Sequence, residues 1–401
     1  MKEIIEISDS LSDRLRQHRN FLHENAETGF NTDKTSKYIL DTLNSLNLEC
    51  SAIGKNAVVG MIYGKEKGKT ILLRADIDAL PIKEETSLPC SCTNGNMHAC
   101  GHDMHTAMLL GAAEVLSKMK DKICGNIKLL FQPAEEILSG AKAVIDEGVL
   151  EGVDYAMTVH VMTACNMATG SVLLSYDTPC APSADFFKMT VKGIGCHGSS
   201  PSIGVDPISC ACRIITSLEH IKTHEIGIHD KAVLTIGEIH GGNSANAIPD
   251  DVTLKGTLRC FDENTRVFYK QRFEEITNGI AGSFRCKAKI EYTSCCPALI
   301  NNPLLLEKTK DNLTELLGKD NVITIKDTKS NLQGSEDFAY ISQAVPSVSV
   351  AIAAGSKDDG YQYPLHNPRV TFDENALEVG CRIFTHNALK ILDSENRKDT
   401  P

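Results

Sequence analysis

The chain has no tryptophan, no apolar run approaching 18 residues and no surplus of positive charge. The missing tryptophan decides nothing about function. The missing long apolar run excludes a helical membrane span, which needs about 20 consecutive apolar residues. Lys and Arg total 41 against 52 Asp and Glu, a formal charge of −11. That balance argues against a general nucleic-acid binder, which presents a basic face to phosphates. The opening MKEIIEISDSLSDRL also lacks the uninterrupted apolar core of an export signal. A soluble, cytoplasmic protein with no membrane or nucleic-acid partner is expected. There is no internal repeat of fixed period and no low-complexity tract.

What is present is ordinary globular material. Hydrophobic residues make up 42% and charged residues 23% of 401 residues, enough chain for two or three domains with a sizeable core. Fifteen cysteines is a high and odd count. Without an export signal they read as reduced thiols rather than a disulfide framework. Cys210, Cys212 and Cys381 sit among apolar residues and are expected to be small buried hydrophobes.

Residues 9–25 and 32–47 have helical spacing, with Asn31 or Thr32 as cap of the second. AVVGMIY (57–63) and TILLRAD (70–76) read as strands separated by a turn-rich GKEKGK spacer. A helix over 103–120, a buried strand over 126–133, a helix near 139–147 and a strand over 155–161 come next. Alternating helices and apolar strands predict an α/β sheet covered on both faces. From residue 184 the pattern changes to strand 184–193, helix 206–223, strands 231–242 and 250–262, helix 263–282 and strand 286–294. That β-α-β-β-α-β order is the signature of a ferredoxin-like unit. After Pro297 a helix (303–318), two strands (321–326 and 346–355) and a long helix from near Asp373 resume the α/β character. The expected organisation is an α/β domain in two segments, 1–183 and 296–401, with an inserted ferredoxin-like domain over 184–295.

The densest chemical cluster is HACGHDMHT (98–106). Thiolate and imidazole are standard ligands of zinc and similar cations. The C-x-H spacing places Cys100 and His102 on one side of an extended segment. Alone, this pair is equally compatible with a reduced core cysteine beside a surface histidine. His98 and His105 read as bystanders or supporting groups. FQPAEE (131–136) ends a buried strand and presents two adjacent carboxylates, Glu135 and Glu136, where open α/β sheets place their sites. One can ligate a cation while the other addresses a water, although acids also favour a solvated helix start. His160 ends another buried strand, and His366 lies between two prolines in YPLHNP. Each is a weak signal alone. Together, Cys100, His102, Glu136, His160 and His366 exceed the three protein ligands of one catalytic zinc. Two cations sharing a bridging ligand fit better, with Cys100 as the candidate bridge, and two-metal sites are typical of hydrolases.

These residues carry a resemblance. RADIDALPI (74–82), HACGHDMHT, FQPAEE, VHV (159–161), GCHGSSPSIGVDPI (195–208), GGNSANAIPD (241–250), GTLRCFD (256–262), SEDFAY (335–340) and LHNP (365–368) span nearly the whole chain. In that order they resemble the aminoacylase and carboxypeptidase superfamily of dinuclear metallohydrolases (clan MH, family M20). The similar branch contains hippurate hydrolases, N-acetyl-amino-acid deacetylases and plant auxin-conjugate hydrolases. The resemblance implies an α/β metal domain with an inserted ferredoxin-like lid, through which members often dimerise. It implies two divalent cations on Cys100, His102, Glu136, His160 and His366; thiolate plus imidazole suits zinc, with manganese, nickel or cobalt able to occupy such mixed sites depending on supply. It implies Glu135 as general acid/base, His197 as a lid histidine stabilising the tetrahedral intermediate, and Asn246 and Arg259 toward the substrate carboxylate. Asp78 matches an aspartate that orients a metal ligand. Asp76 stands where the wider superfamily has a ligand histidine, so a metal role for it is not carried over. Cys196 stands where glycine is expected. The implied activity is hydrolysis of N-acyl-L-amino acids. The alternatives are a dipeptidase or aminopeptidase, and a catalytically silent protein that binds metal or acyl-amino acids.

Overall fold

The computed structural model describes residues 1–176, 179–325 and 334–396. Its strands, in chain order, are β1 (Glu49–Ile53), β2 (Ala57–Tyr63), β3 (Glu66–Asp76), β4 (Cys124–Gln132), β5 (Tyr155–Met162), β6 (Val172–Ser175), β7 (Ala184–Lys192), β8 (Cys196–His197), β9 (Ala232–Gly241), β10 (Ala247–Ile248), β11 (Asp251–Cys260), β12 (Lys287–Cys296), β13 (Val322–Ile325) and β14 (Ser347–Ala353). The α-helices are α1 (Lys2–Ser10), α2 (Ser12–Glu24), α3 (Asp33–Ser45), α4 (His102–Lys118), α5 (Gly140–Asp146), α6 (Pro207–His220), α7 (Glu263–Ser283), α8 (Pro303–Leu317), α9 (Phe338–Ala344) and α10 (Ala376–Asn396).

Two compact units result. Met1–Cys180 and most of the chain from Ile300 onward form the first; Ala181–Leu299, together with residues 334–336, form the second. The first contains a sheet of order β1-β2-β4-β3-β5-β14-β6-β13. Its centre, β4-β3-β5-β14, is parallel, while β1, β2 and β6 run antiparallel to a neighbour. The sheet is therefore mixed rather than uniformly parallel. The apolar run of β3 (Ile71, Leu72, Leu73 and Ala75) is fully buried, as a central strand requires. Helix α4 is buried from His102 to Leu116, which explains a sequence apolar nearly all round. It packs on α2, α10 and β3. Helix α2 buries Leu15, His18, Arg19, Leu22 and His23, an i, i+3, i+4, i+7, i+8 stripe that carries basic groups inward.

In the second unit β7, α6, β9, β11, α7 and β12 occur in that order, and the antiparallel sheet order is β12-β7-β11-β9. Phe187, Met189 and Val191 of β7 and Val252, Leu254 and Leu258 of β11 point into one core with Ile214 and Leu218 of α6 and Tyr269 and Phe273 of α7. Alternation along each strand supplies this face. The incoming and outgoing chain are bonded, with the Leu299 amide donating to the Ala181 carbonyl at 3.0 Å.

Several local expectations are corrected. The 9–25 helix is two helices broken at Leu11. Residues 66–69 join β3 instead of forming a spacer, with a register shift against β4. Thr32 precedes α3 but makes no side-chain cap; the Glu27 carboxylate accepts from the amides of Lys34 (3.2 Å) and Thr35 (2.9 Å) instead. Residue 326 of the expected 321–326 strand lies outside the described residues. Cys210 and Cys381 are buried, but Cys212 is exposed because it faces outward on α6. All fifteen cysteines are free thiols. Among the described residues no helix is long and apolar enough to cross a membrane.

Candidate metal centre

The parallel strands β3, β4 and β5 end at one edge of the first unit's sheet, and the site is built on those strand ends and the loops beyond them. Asp76 ends β3, Glu135 and Glu136 come just after β4, and His160 lies near the end of β5. Cys100 and His102 arrive from the start of α4. Between them Gly101 has φ +88°, and a Cβ there would lie 2.4 Å from Val161 Cγ2. Only glycine fits that turn. Cys100 and His102 therefore meet across a left-handed turn into a helix, not along an extended segment. His366 itself has φ +66°, and its amide donates to the Ala99 carbonyl at 2.9 Å. Ala134, fully buried just before the glutamates, has φ +62°. Left-handed geometry at such residues costs about 1–2 kcal/mol each and persists where surroundings enforce it.

Five donors converge. One group comprises Cys100, His102 and His160, and another Cys100, Glu136 and His366; within each group the donor atoms lie within 4.8 Å of one another. Cys100 belongs to both. Its Sγ is 3.6 Å from His160 Nε2, and Glu136 lies 3.8 Å from His102 Nε2 and 3.5 Å from His366 Nε2. Donors placed tetrahedrally about a cation at about 2.0–2.3 Å stand about 3.3–3.8 Å apart.

Backbone carbonyls set the histidine tautomers. His102 Nδ1 donates to the Asp78 carbonyl and His160 Nδ1 to the Val161 carbonyl, each at 2.8 Å. Both rings thus turn Nε2 toward the cluster, as ligating histidines do. His105 differs. It accepts from the Val161 amide at Nε2 (2.8 Å) and donates from Nδ1 to Asp76 (2.6 Å). Both its nitrogens are engaged, so it supports the site instead of facing it. Asp76 also receives Arg74 Nη1 at 2.8 Å. The Asp78 carboxylate accepts the amides of Glu135 (2.9 Å) and Glu136 (3.3 Å). One aspartate thus fixes the two glutamates by its side chain and His102 by its carbonyl.

The protonation of these groups is set by burial and neighbours. Burial pushes the Cys100 thiol well above its ordinary value and raises Glu136 to about 7. Burial likewise lowers His160 to about 3. For His102 burial is outweighed, chiefly by Asp76, and the ring is held well above its ordinary value. Burial would lift Asp76 too, but His102, His105 and Arg74 outweigh it and hold that carboxyl well below the usual range. His102 Nε2 and Glu136 Oε1 are buried without a hydrogen-bond partner among the described residues. A cation is the natural partner for an imidazole nitrogen and a carboxylate oxygen so placed, and the thiolate, imidazole and carboxylate donors suit zinc or a similar divalent ion. The residues present therefore fit two cations.

Beneath the donors lies a network to which the sequence alone assigned no role. Fully buried Arg74 donates to Gln132 (3.0 Å), Asp76 (2.8 Å) and Asp337 (2.9 Å). Asp337 also accepts from Gln132 Nε2 and the Ala141 amide, and its own amide donates to Glu135 Oε1 at 3.3 Å. A second cluster joins Asp103, next to His102, to Arg19 (2.9 Å) and His23 (2.8 Å), with His23 reaching Glu84 at 3.2 Å. The RAD and SEDF stretches are visible as motifs, yet only the fold shows that Arg74 and Asp337 meet.

The remaining expected residues lie in the second unit. His197 sits on β8, exposed and paired with Ala247 of β10. The Asn246 carbonyl accepts the Gly198 amide at 2.8 Å, and Asn246 Oδ1 accepts Ser244 Oγ at 2.6 Å. Arg259 donates to Ser335 Oγ at 2.5 Å. Cys196 Sγ is 3.5 Å from the Ser200 carbonyl, so the cysteine in place of glycine braces the turn after His197.

A mixed α/β sheet whose strand ends gather a shared thiol, three imidazoles and paired carboxylates defines a metallohydrolase-like chain, and comparison with known proteins agrees. The model of peptidase family M20/M25/M40 matches residues 72–390. The chain is 36% identical to thermostable carboxypeptidase 2 of Saccharolobus solfataricus over 95% of this chain and 96% of that protein. It is 37% identical to the N-acetyl-L-cysteine deacetylase of Bacillus subtilis, over 94% and 88% respectively. Among solved structures, the Bacillus subtilis YXEP protein, described as a dinuclear metal-binding peptidase of the M20 family, superposes with a TM-score of 0.80 at 31% identity, covering 96% of this chain and 99% of that one. The chain belongs to the M20/M25/M40 peptidase family and is a hydrolase of that family.

Proposed function

We propose that the protein hydrolyses the amide bond of N-acyl-L-amino acids using two divalent cations held by Cys100, His102 and His160 and by Cys100, Glu136 and His366. The observation that carries this reading is the membership of Cys100 in both donor groups, with Glu135 beside them. Cations held there would supply Lewis acidity toward the amide carbonyl and would lower the pKa of water from about 15.7 toward about 7.

The chain's own groups do the rest. Glu135, buried and oriented through its amide by Asp78 and through Oε1 by the Asp337 amide, takes the proton of the attacking water. It returns that proton to the departing amine, without which the amine is a poor leaving group. His197 donates to the oxyanion, a contribution worth about 2.7–4 kcal/mol per donor at such sites. Asn246 and Arg259 hold the amino-acid carboxylate, which a guanidinium can pair bidentately. We further propose that the second unit acts as a lid and joins two copies in a homodimer through an edge strand of its sheet.

Release of amine from a panel of N-acetyl and N-benzoyl amino acids, with and without added Mn²⁺ or Zn²⁺, tests the reading. Cation-dependent turnover is expected, and no turnover across the panel refutes it. Exopeptidase cleavage of dipeptides is the second reading, favoured by the identity to the Saccharolobus carboxypeptidase; faster release from unblocked dipeptides than from their N-acyl counterparts selects it.

A further inference from the structure

We infer that Ser199 is a positioning residue that holds His197 in the tautomer with its proton on Nε2, so that the ring presents an N–H donor outward. The inference rests on the role proposed for His197 and extends it to a neighbour with no assigned part.

The backbone sets the constraint. The Ser199 amide lies 3.2 Å from His197 Nδ1, and Ser199 Oγ lies 2.7 Å from the same nitrogen. A peptide N–H can only donate, so Nδ1 must accept, and a nitrogen that accepts carries no proton in neutral imidazole. The serine hydroxyl can act either way, but beside an unprotonated Nδ1 it donates. Two donors thus converge on one lone pair, and the ring proton is left to Nε2.

The turn is built to keep this arrangement. His197 pairs with Ala247 across the β8–β10 bridge, the Gly198 amide donates to the Asn246 carbonyl, and the Ser200 amide donates to the His197 carbonyl, both at 2.8 Å. Asn246, expected at the substrate, therefore shares a short frame with His197. The opposite tautomer would turn a lone pair outward and face a developing oxyanion with repulsion. The ring arrangement is the reverse of that at His102 and His160, where Nδ1 donates to a backbone carbonyl and Nε2 is left to face the cluster. Within one chain, peptide groups prepare two histidines to accept a cation and a third to donate a hydrogen bond.

The test has a spectroscopic arm and a kinetic arm. The full-length protein is labelled with ¹⁵N-histidine, and His197→Gln identifies the resonances of this ring. At about pH 8.5, above the ordinary histidine value of about 6.5, Nε2 is expected to show the protonated-nitrogen shift and Nδ1 the unprotonated one. The reverse assignment overturns the inference. In Ser199→Ala the longer amide contact is the one donor left of the pair, so the Nδ1 shift should move part of the way toward mixed tautomers, and kcat on an N-acetyl amino acid should fall about 5-fold with KM nearly constant, the loss of one modest hydrogen bond. Ser199→Thr, which keeps the hydroxyl, should restore both readouts. If Ser199→Ala matches the wild type while His197→Gln is strongly impaired, the positioning role falls and the role of His197 stands. If His197→Gln itself turns over normally, the proposed role of His197 is what fails, whatever the tautomer.

Discussion

Loading of the donor cluster with a divalent cation should expel about one more proton below pH 7 than above it. Burial raises the Glu136 carboxyl from 4.5 to about 7. Between those values the unfolded chain has released a proton that the folded protein keeps. The folded state therefore loses stability as pH rises through that window, and the loss is constant above it. At about 1.36 kcal/mol per pH unit the raised value corresponds to about 3 kcal/mol. A cation needs the carboxylate, so binding at about pH 6 displaces this proton, whereas at about pH 8 it is already gone. Cys100, held high by burial, and His102, held high chiefly by Asp76, also give up protons to the cation, and comparison with Glu136→Gln separates their share. His160, lowered to about 3, adds none. Calorimetric titration of chelator-treated protein with Zn²⁺, in buffers of different ionisation enthalpy, counts the protons directly. The count should differ by about one between the two pH values, and Glu136→Gln should abolish the difference. Equal counts in the wild type refute the reasoning.

Glu135→Gln should lower kcat by about 10²–10⁴, the usual contribution of a general base, while metal analysis shows an unchanged cation content; substantial residual turnover removes Glu135 from its role. Cys100→Ala should lose both cations together, because the thiol serves both groups, and retention of one at full occupancy contradicts the sharing. Asp103→Ala should destabilise the fold by about 3–5 kcal/mol in urea titrations, since it strips a partner from buried Arg19. His23 offers a pH test of the same cluster. Burial would lower it, but hydrogen bonds to Asp103 and Glu84 raise it to about 9. Its contribution, about 3 kcal/mol at about 1.36 kcal/mol per pH unit, should be complete below about pH 6.5 and vanish as pH climbs through about 9; a flat stability profile over that range excludes it.

Much of the site is legible in the residues alone because ligand-type side chains fall where apolar strands stop. Glu136 comes after β4, and His160 lies near the end of β5. Long helices such as α4 and α7 and the apolar run of β5 are equally legible. Short elements are not: β1, β6 and α9 have too few residues for a period to show. The break at Leu11 leaves no mark in composition, since one helical stripe continues into the next. Cys212 misleads because its neighbours are apolar while its own face of α6 is not. The hydrogen bonds that choose histidine tautomers are invisible for a simpler reason. They end on the carbonyls of Asp78 and Val161, and a peptide group has no residue type. Arg74 and Asp337 meet only through folding, across 263 positions of chain.

The two donor groups share a thiol but differ in shelter. Cys100 and His102 are buried and His160 partly so, whereas Glu136 is partly buried and the His366 side chain is 52% accessible. Ions seated in the two places would exchange with the medium at unequal speeds, one retained through purification and the other drawn from whatever the solution supplies. Catalytic competence would then track the trace-metal composition of the surroundings, through a single histidine at the rim.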